Sequence, residues 1–204
     1  MYIKKLIIHY QFVCIIFLIL LISLLSIVSF QKSLSNKVLR LHIIANSNST
    51  FDQELKLKVR DEVVNYITPL LKNSSNLSET KKIISNNINS INDIAQTVVS
   101  KYSNYTTNIS LAISNFPTKQ YGNISFPAGK YEALKITIGE GEGNNWWCVM
   151  FPPLCFTNSS AGSFDDASEE KLQASLSDEE YYMINNYDKP NVKIKFRLLE
   201  WLNS

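Results

Sequence analysis

Residues 38–60 read VLRLHIIANSNSTFDQELKLKVR, and a change of period inside this stretch sets the architecture. Over residues 38–45 the pattern alternates: Leu39, Leu41 and Ile43 share one face of a strand, and Arg40, His42 and Ile44 share the other. The strand stops at Asn46-Ser47-Asn48-Ser49. Ser49, with Asp52 three residues on, makes an Asp-containing variant of a capping box and predicts a helix start. The apolar positions Phe51, Leu55, Val59, Val63, Tyr66, Ile67 and Leu70 then recur at helical spacing, with Glu54 and Lys58 as a favourable i,i+4 pair. Pro69 is expected to kink or end this helix.

Toward the C-terminus, residues 78–101 are helical again, but Asn86-Asn87 and Asn89 weaken the middle, so the segment reads as one broken helix or two. The period then drops to two. Residues 105–115 place Ile109, Leu111 and Ile113 on one face, and residues 131–138 follow the turn Pro127-Ala128-Gly129. Residues 146–151 form an apolar run stopped by Pro152-Pro153, a buried strand. The polar, acidic stretch 158–178 is expected to be a surface loop, followed by a short helix near 179–186 and a last strand over 192–198. This order predicts an α+β domain: a mainly antiparallel sheet with helices packed on one of its faces.

Toward the N-terminus, Lys4 and Lys5 precede an uncharged run, residues 12–30, of Ile, Leu, Val and Phe with few polar interruptions. As a helix it would be roughly 28 Å long, close to the ~30 Å hydrocarbon thickness of a bilayer. The lysines in front put the N-terminus inside and the rest of the chain outside. The run is longer than the ~7 to 15 residues of a signal peptide's apolar region, and Ser26 to Ser29 only approximates a cleavage site, so an uncleaved anchor is read first and a cleaved signal second. The division is a signal or anchor segment, residues 1–31, and an exported globular domain, residues 32–204.

Two of the 20 basic residues precede the span, leaving the exported part with equal numbers of each charge, which argues against nucleic acid as a partner. Of three cysteines, Cys14 lies in the span, so Cys148 and Cys155 form the only candidate disulfide outside it; free thiols are the alternative. Zinc is poorly served, with one histidine, His42, available beside them, and no cofactor or metal is called for. A catalytic triad would need His42 to meet Ser47 or Cys148. Glu132 shares a strand face with Leu134, Ile136 and Ile138, so its carboxylate needs a partner, and Arg40 or His42 would serve. The segment 139–143 is glycine-rich but lacks the Lys-Ser or Lys-Thr of a phosphate-binding loop. Trp146 and Trp147, on consecutive strand positions, point to opposite faces, and one of them is available to anchor a partner.

The blocks LRLHIIANSNSTFDQELKLKVRDEV (39–63) and FPTKQYGNISFPAGKYEALKITIGEGEGNNWWCVMFPPLCF (116–156), behind a hydrophobic N-terminus, resemble the stage II sporulation protein R family. The resemblance implies a signalling protein of endospore formers, exported from the forespore into the space between two membranes. There its partner would be a membrane-embedded aspartic protease that processes the sigma-E precursor. It implies no catalytic residues. Matched to these blocks, the candidate partner-binding residues are Arg40, His42, Asn46, Asp52, Gln53, Lys56, Arg60, Glu132, Trp146 and Trp147. Gln53, Lys56 and Arg60 fall on one helix face away from the apolar stripe, as contacts rather than core. The alternative is an exported hydrolase acting on cell wall or peptide, with His42 or Glu132 in the chemistry.

Overall fold

The computed structural model describes residues 2–154 and 166–204. Helix α1 (Tyr2–Ser35) leads into β1 (Leu39–Ile44), α2 (Thr50–Leu71), α3 (Leu77–Asn86), α4 (Ile88–Ser100) and β2 (Thr107–Phe116). A short hairpin, β3 (Lys119–Tyr121) and β4 (Ile124–Phe126), precedes β5 (Gly129–Ile138) and β6 (Asn145–Phe151). Helices α5 (Asp166–Ser175), α6 (Asp178–Asn185) and α7 (Pro190–Asn203) follow. Cys155, and with it the pairing question, lies outside the described residues, as do residues 158–165 of the expected acidic loop; the rest of that loop contains α5.

The main sheet has the order β2-β5-β1-β6, with β1 parallel to β5 and the two outer pairings antiparallel. Strand alternation sorts its two faces. Leu41, Leu134 and Cys148 stand in register on one face with Ile43, Ile136 and Trp146, and α2, α3 and α4 cover them with Leu55, Val59, Val63, Ile84, Ile91 and Ala95. This is the side the sequence predicts to be covered. The second face is covered too, which corrects the one-sided expectation: Tyr131, Ala133 and Val149 pack under Leu34 of α1, Phe126 of the hairpin, Ile184 of α6 and Phe196 of α7.

Local chemistry explains the boundaries. The Ser49 side chain accepts from the Asp52 amide, an N-cap as expected, and α2 runs through Pro69 to end two residues later. Asn87 splits the second helical region in two, its amide closing α3 on the Ile83 and Ile84 carbonyls. The expected strand over 192–198 is instead α7. Val192, Ile194, Phe196 and Leu198 alternate like a strand, but Val192, Phe196 and Leu199 also recur at i, i+4 and i+7. Pro190 at the first turn favours the helix.

Helix α1 continues past the expected end of the span, through residues 31–35. Its residues Tyr2 to Leu25 are exposed, and by length and hydropathy it is able to cross a membrane. Ile27 and Leu34 are buried against the domain. Glu180 fastens this end: its carboxylate accepts from Ser33 Oγ (2.7 Å) and Lys37 Nζ (2.6 Å) while completing the Ser177 capping box of α6. Burial pushes the Glu180 carboxyl up, but the bonds from Lys37, the Ser177 amide and Ser33 outweigh it and hold the group below its ordinary value.

Candidate functional site

Parallel strands β1 and β5 end on the same side of the sheet, so the β1–α2 loop (45–49) and the β5–β6 loop (139–144) lie together. Polar side chains join them. Asp52, 3% exposed, accepts from Asn46 Nδ2 at 2.9 Å and Ser47 Oγ at 2.6 Å. It therefore does not reach back to the Ser49 amide as a full capping box would; that amide donates to Ser47 Oγ. Burial raises the Asp52 carboxyl, but hydrogen bonding, led by the Ser47 and Asn46 donors, more than offsets it and leaves the group below its usual range. Across the gap, the Glu140 amide donates to Asn46 Oδ1 (3.0 Å) and the Asn144 amide to Asn48 Oδ1 (2.7 Å), while the Gly143 amide reaches the Ala45 carbonyl (2.9 Å). A Cβ on Gly143 would fall 2.2 Å from the Ser47 carbonyl oxygen, so only glycine lets the loops close.

Gln53 and Lys56 are tied into this assembly, and Arg60 borders it. Gln53 Nε2 donates to the Ser47 carbonyl (2.8 Å). Lys56 is buried, its ammonium donating to Gln53 Oε1 (2.6 Å) and the Asn144 carbonyl (2.9 Å); burial, then the charge of Arg60, lowers its pKa. Arg60 lies over the Trp146 ring at 4.3 Å and pairs with Asp61.

On the opposite sheet face, Arg40 is fully buried. Its strand neighbours are Ala133 and Val149, and the small Ala133 leaves room for a guanidinium. Nε donates to the Cys148 carbonyl (2.8 Å) and Nη2 to Tyr121 Oη (2.9 Å), whose own hydroxyl donates to the Trp147 carbonyl (3.1 Å). Four rings surround the charge: Phe116 at 4.3 Å, Tyr131 at 5.0 Å, Phe126 at 5.3 Å and Tyr121 at 5.8 Å. Among the described residues Nη1 meets no hydrogen-bond acceptor. Burial raises the pKa of both tyrosines, with the Arg40 charge opposing it.

His42, next on this face, stacks on Trp147 with ring centroids 4.0 Å apart, and its Nε2 lies 3.0 Å from Asn145 Oδ1. Burial lowers its pKa to about 4, aided by Lys135 and Arg40, although the Asn145 bond opposes the change. The imidazole is therefore neutral over most of the working range. It does not meet the expected nucleophiles: Cys148 lies on the other face of the sheet, and the Ser47 hydroxyl is given to Asp52. Glu132 also departs from expectation. Its partner is Lys81 of α3, at 2.6 Å with both side chains about a third exposed (32% and 33%), because Arg40 and His42 are on the opposite face. Trp146 and Trp147 do occupy opposite faces. Among the described residues no three His, Cys, Asp or Glu side chains gather as metal ligands.

Sequence reading missed the cage residues Phe116, Tyr121, Phe126 and Tyr131 as a group. Their signal was compositional: four aromatics in a 16-residue stretch, with Pro117 and Pro127 among them.

Fold and site together define a small α+β domain on a long apolar helix, with two loops locked side by side by a buried polar network at the ends of parallel strands. The chain belongs to the stage II sporulation protein R family, whose family model matches residues 35–161. The stage II sporulation protein R of Bacillus subtilis (strain 168) is 37% identical over 181 residues, covering 82% of this chain and 81% of that protein. No solved structure matches.

Proposed function

We propose that this chain is an exported sporulation signal that acts by binding. Helix α1 carries the domain out of the forespore, and in the intermembrane space the domain activates the membrane-embedded aspartic protease that processes the sigma-E precursor in the mother cell. Family membership supports the sporulation role. The observation that carries the binding mechanism is the use made of the family-matching polar residues. Asn46, Asp52, Gln53 and Lys56 are engaged with each other and with the two loop backbones, fixing a shape rather than leaving an acid, base or nucleophile free to react. The surface so fixed presents the exposed Glu140 and Glu142 and the partly exposed Arg60 and Trp146, whereas Phe51, 48% exposed, lies on the opposite side of α2 from Arg60. This fixed surface is the face we assign to the protease, with the Trp146 ring as its anchor.

The competing reading, an exported hydrolase, has His42 or Glu132 in the chemistry, and of the two Glu132 is already paired with Lys81. On the binding reading His42→Gln is expected to trigger as much precursor cleavage per folded molecule as the parent chain, whereas Arg60→Glu abolishes it at unchanged melting temperature. Loss of cleavage in a folded His42→Gln protein, with Arg60→Glu still active, would favour the hydrolase.

A further inference from the structure

Helix α7 carries two apolar stripes. Val192, Phe196 and Leu199 are buried against the domain. Ile194, Leu198, Trp201 and Leu202 recur at i, i+4, i+7 and i+8 on the outside, 60%, 41%, 75% and 41% exposed. Lys193, Lys195 and Arg197 are exposed on the same helix, with Glu200 its single acidic residue. A water-facing helix has little reason to present a continuous apolar stripe ending in a tryptophan, whereas a helix lying in a bilayer interface requires one, together with cations for the headgroups.

The position of α7 says which surface that is. The Phe196 ring stacks on Phe30 of α1, with centroids 6.5 Å apart, and Lys195, Phe196 and Leu199 line one groove with Ile22 and Ile27. Ile22, Ile27 and Phe30 belong to the apolar run that ends at residue 30. Helix α7 thus grips α1 within the last turns of its membrane-crossing stretch. A bilayer spanned by α1 reaches α7 before any soluble partner does.

We propose that the outer face of α7 lies in the headgroup layer of the membrane that α1 spans, Ile194, Leu198 and Leu202 against acyl chains, Trp201 at the interface, and Lys193, Lys195 and Arg197 on anionic lipid. The domain is then seated on the bilayer in one orientation instead of swinging from its anchor, so its paired loops are held at a fixed height above the membrane. The inference rests on α1 remaining in the membrane, and it is independent of which protein the loops meet.

The test uses the full chain reconstituted into vesicles of phosphatidylethanolamine with a minority of phosphatidylglycerol. Alkaline extraction followed by flotation reports α1, and quenching of tryptophan emission by acyl-brominated lipid reports α7. The expected result is a chain that floats, is quenched, and loses most of its quenched emission in Trp201→Phe, a change at an exposed ring that leaves the fold intact. Replacing Lys193, Lys195 and Arg197 together by Gln is expected to weaken the quenching of the parent chain. A chain that floats but whose quenching is absent, or undiminished by Trp201→Phe, overturns the proposal, because the face would then meet water, a second copy or another protein. A chain extracted at alkaline pH overturns the anchor and the proposal with it.

Discussion

Replacing Arg40 by alanine is expected to destabilise the domain by about 3–5 kcal/mol, a large part of the 5–15 kcal/mol that holds a typical domain folded. Three effects add. The Cys148 carbonyl and the Tyr121 hydroxyl oxygen each lose a buried hydrogen bond from the guanidinium, a bond to a charged group being worth about 1.5–3 kcal/mol. The space among Phe116, Phe126 and Tyr131 becomes a cavity. The attraction of four ring faces for the cation is also lost. Against these stands the relief of a buried charge that, among the described residues, no carboxylate neutralises. Arg40→Met separates the effects. It refills much of the space and removes the charge, so its expected cost is only about 1–3 kcal/mol. Denaturant unfolding of the full chain in detergent would show the ranking, and a Met variant less stable than the Ala variant would contradict the account of the cage.

The second large effect depends on pH. The His42 imidazole has its pKa lowered from 6.5 to about 4 in the folded domain, so between these values the unfolded chain takes up a proton that the native one refuses. Stability is therefore full above pH 6.5 and is lost progressively as the pH falls to about 4, by about 3 kcal/mol in total. Below that, both states bind the proton and the loss stops growing. His42→Gln has no such group. Its stability relative to the parent is expected to improve as the medium is acidified from pH 7 to pH 4, whatever the cost of losing the Trp147 stack. Melting curves of the two proteins that run parallel through this range would show that the imidazole is not held neutral.

Much of the fold was legible because local signals agreed. The alternation of residues 38–45 and the Ser49 cap placed β1 and α2 to within a residue or two, and consecutive tryptophans in a strand had to face opposite ways. Where two periods fitted the same residues, as in 192–198, strand and helix could not be separated without knowing that Val192, Phe196 and Leu199 would meet a buried surface. Lys56 illustrates a different limit. A lysine off the apolar stripe reads as a surface contact, yet Lys56 is buried and the Asn144 carbonyl arrives over it from a loop 88 residues away in sequence. The Lys81 partner of Glu132 and the rings around Arg40 were hidden for the same reason: alternation assigns a side chain to a face but does not say which strand or helix lies there. The polar residues of the site were thus recognisable as a set from their blocks, while their mutual bonding became visible only in three dimensions.

That bonding is central to the functional reading, in which the chain signals by presenting a shape. The most direct test is to express it, with α1 intact, in non-sporulating cells beside the septal protease and the sigma-E precursor, and to follow the precursor by immunoblot. The expected result is cleavage that depends on this chain and persists in His42→Gln. Absence of cleavage with the domain demonstrably exported and folded would contradict the account.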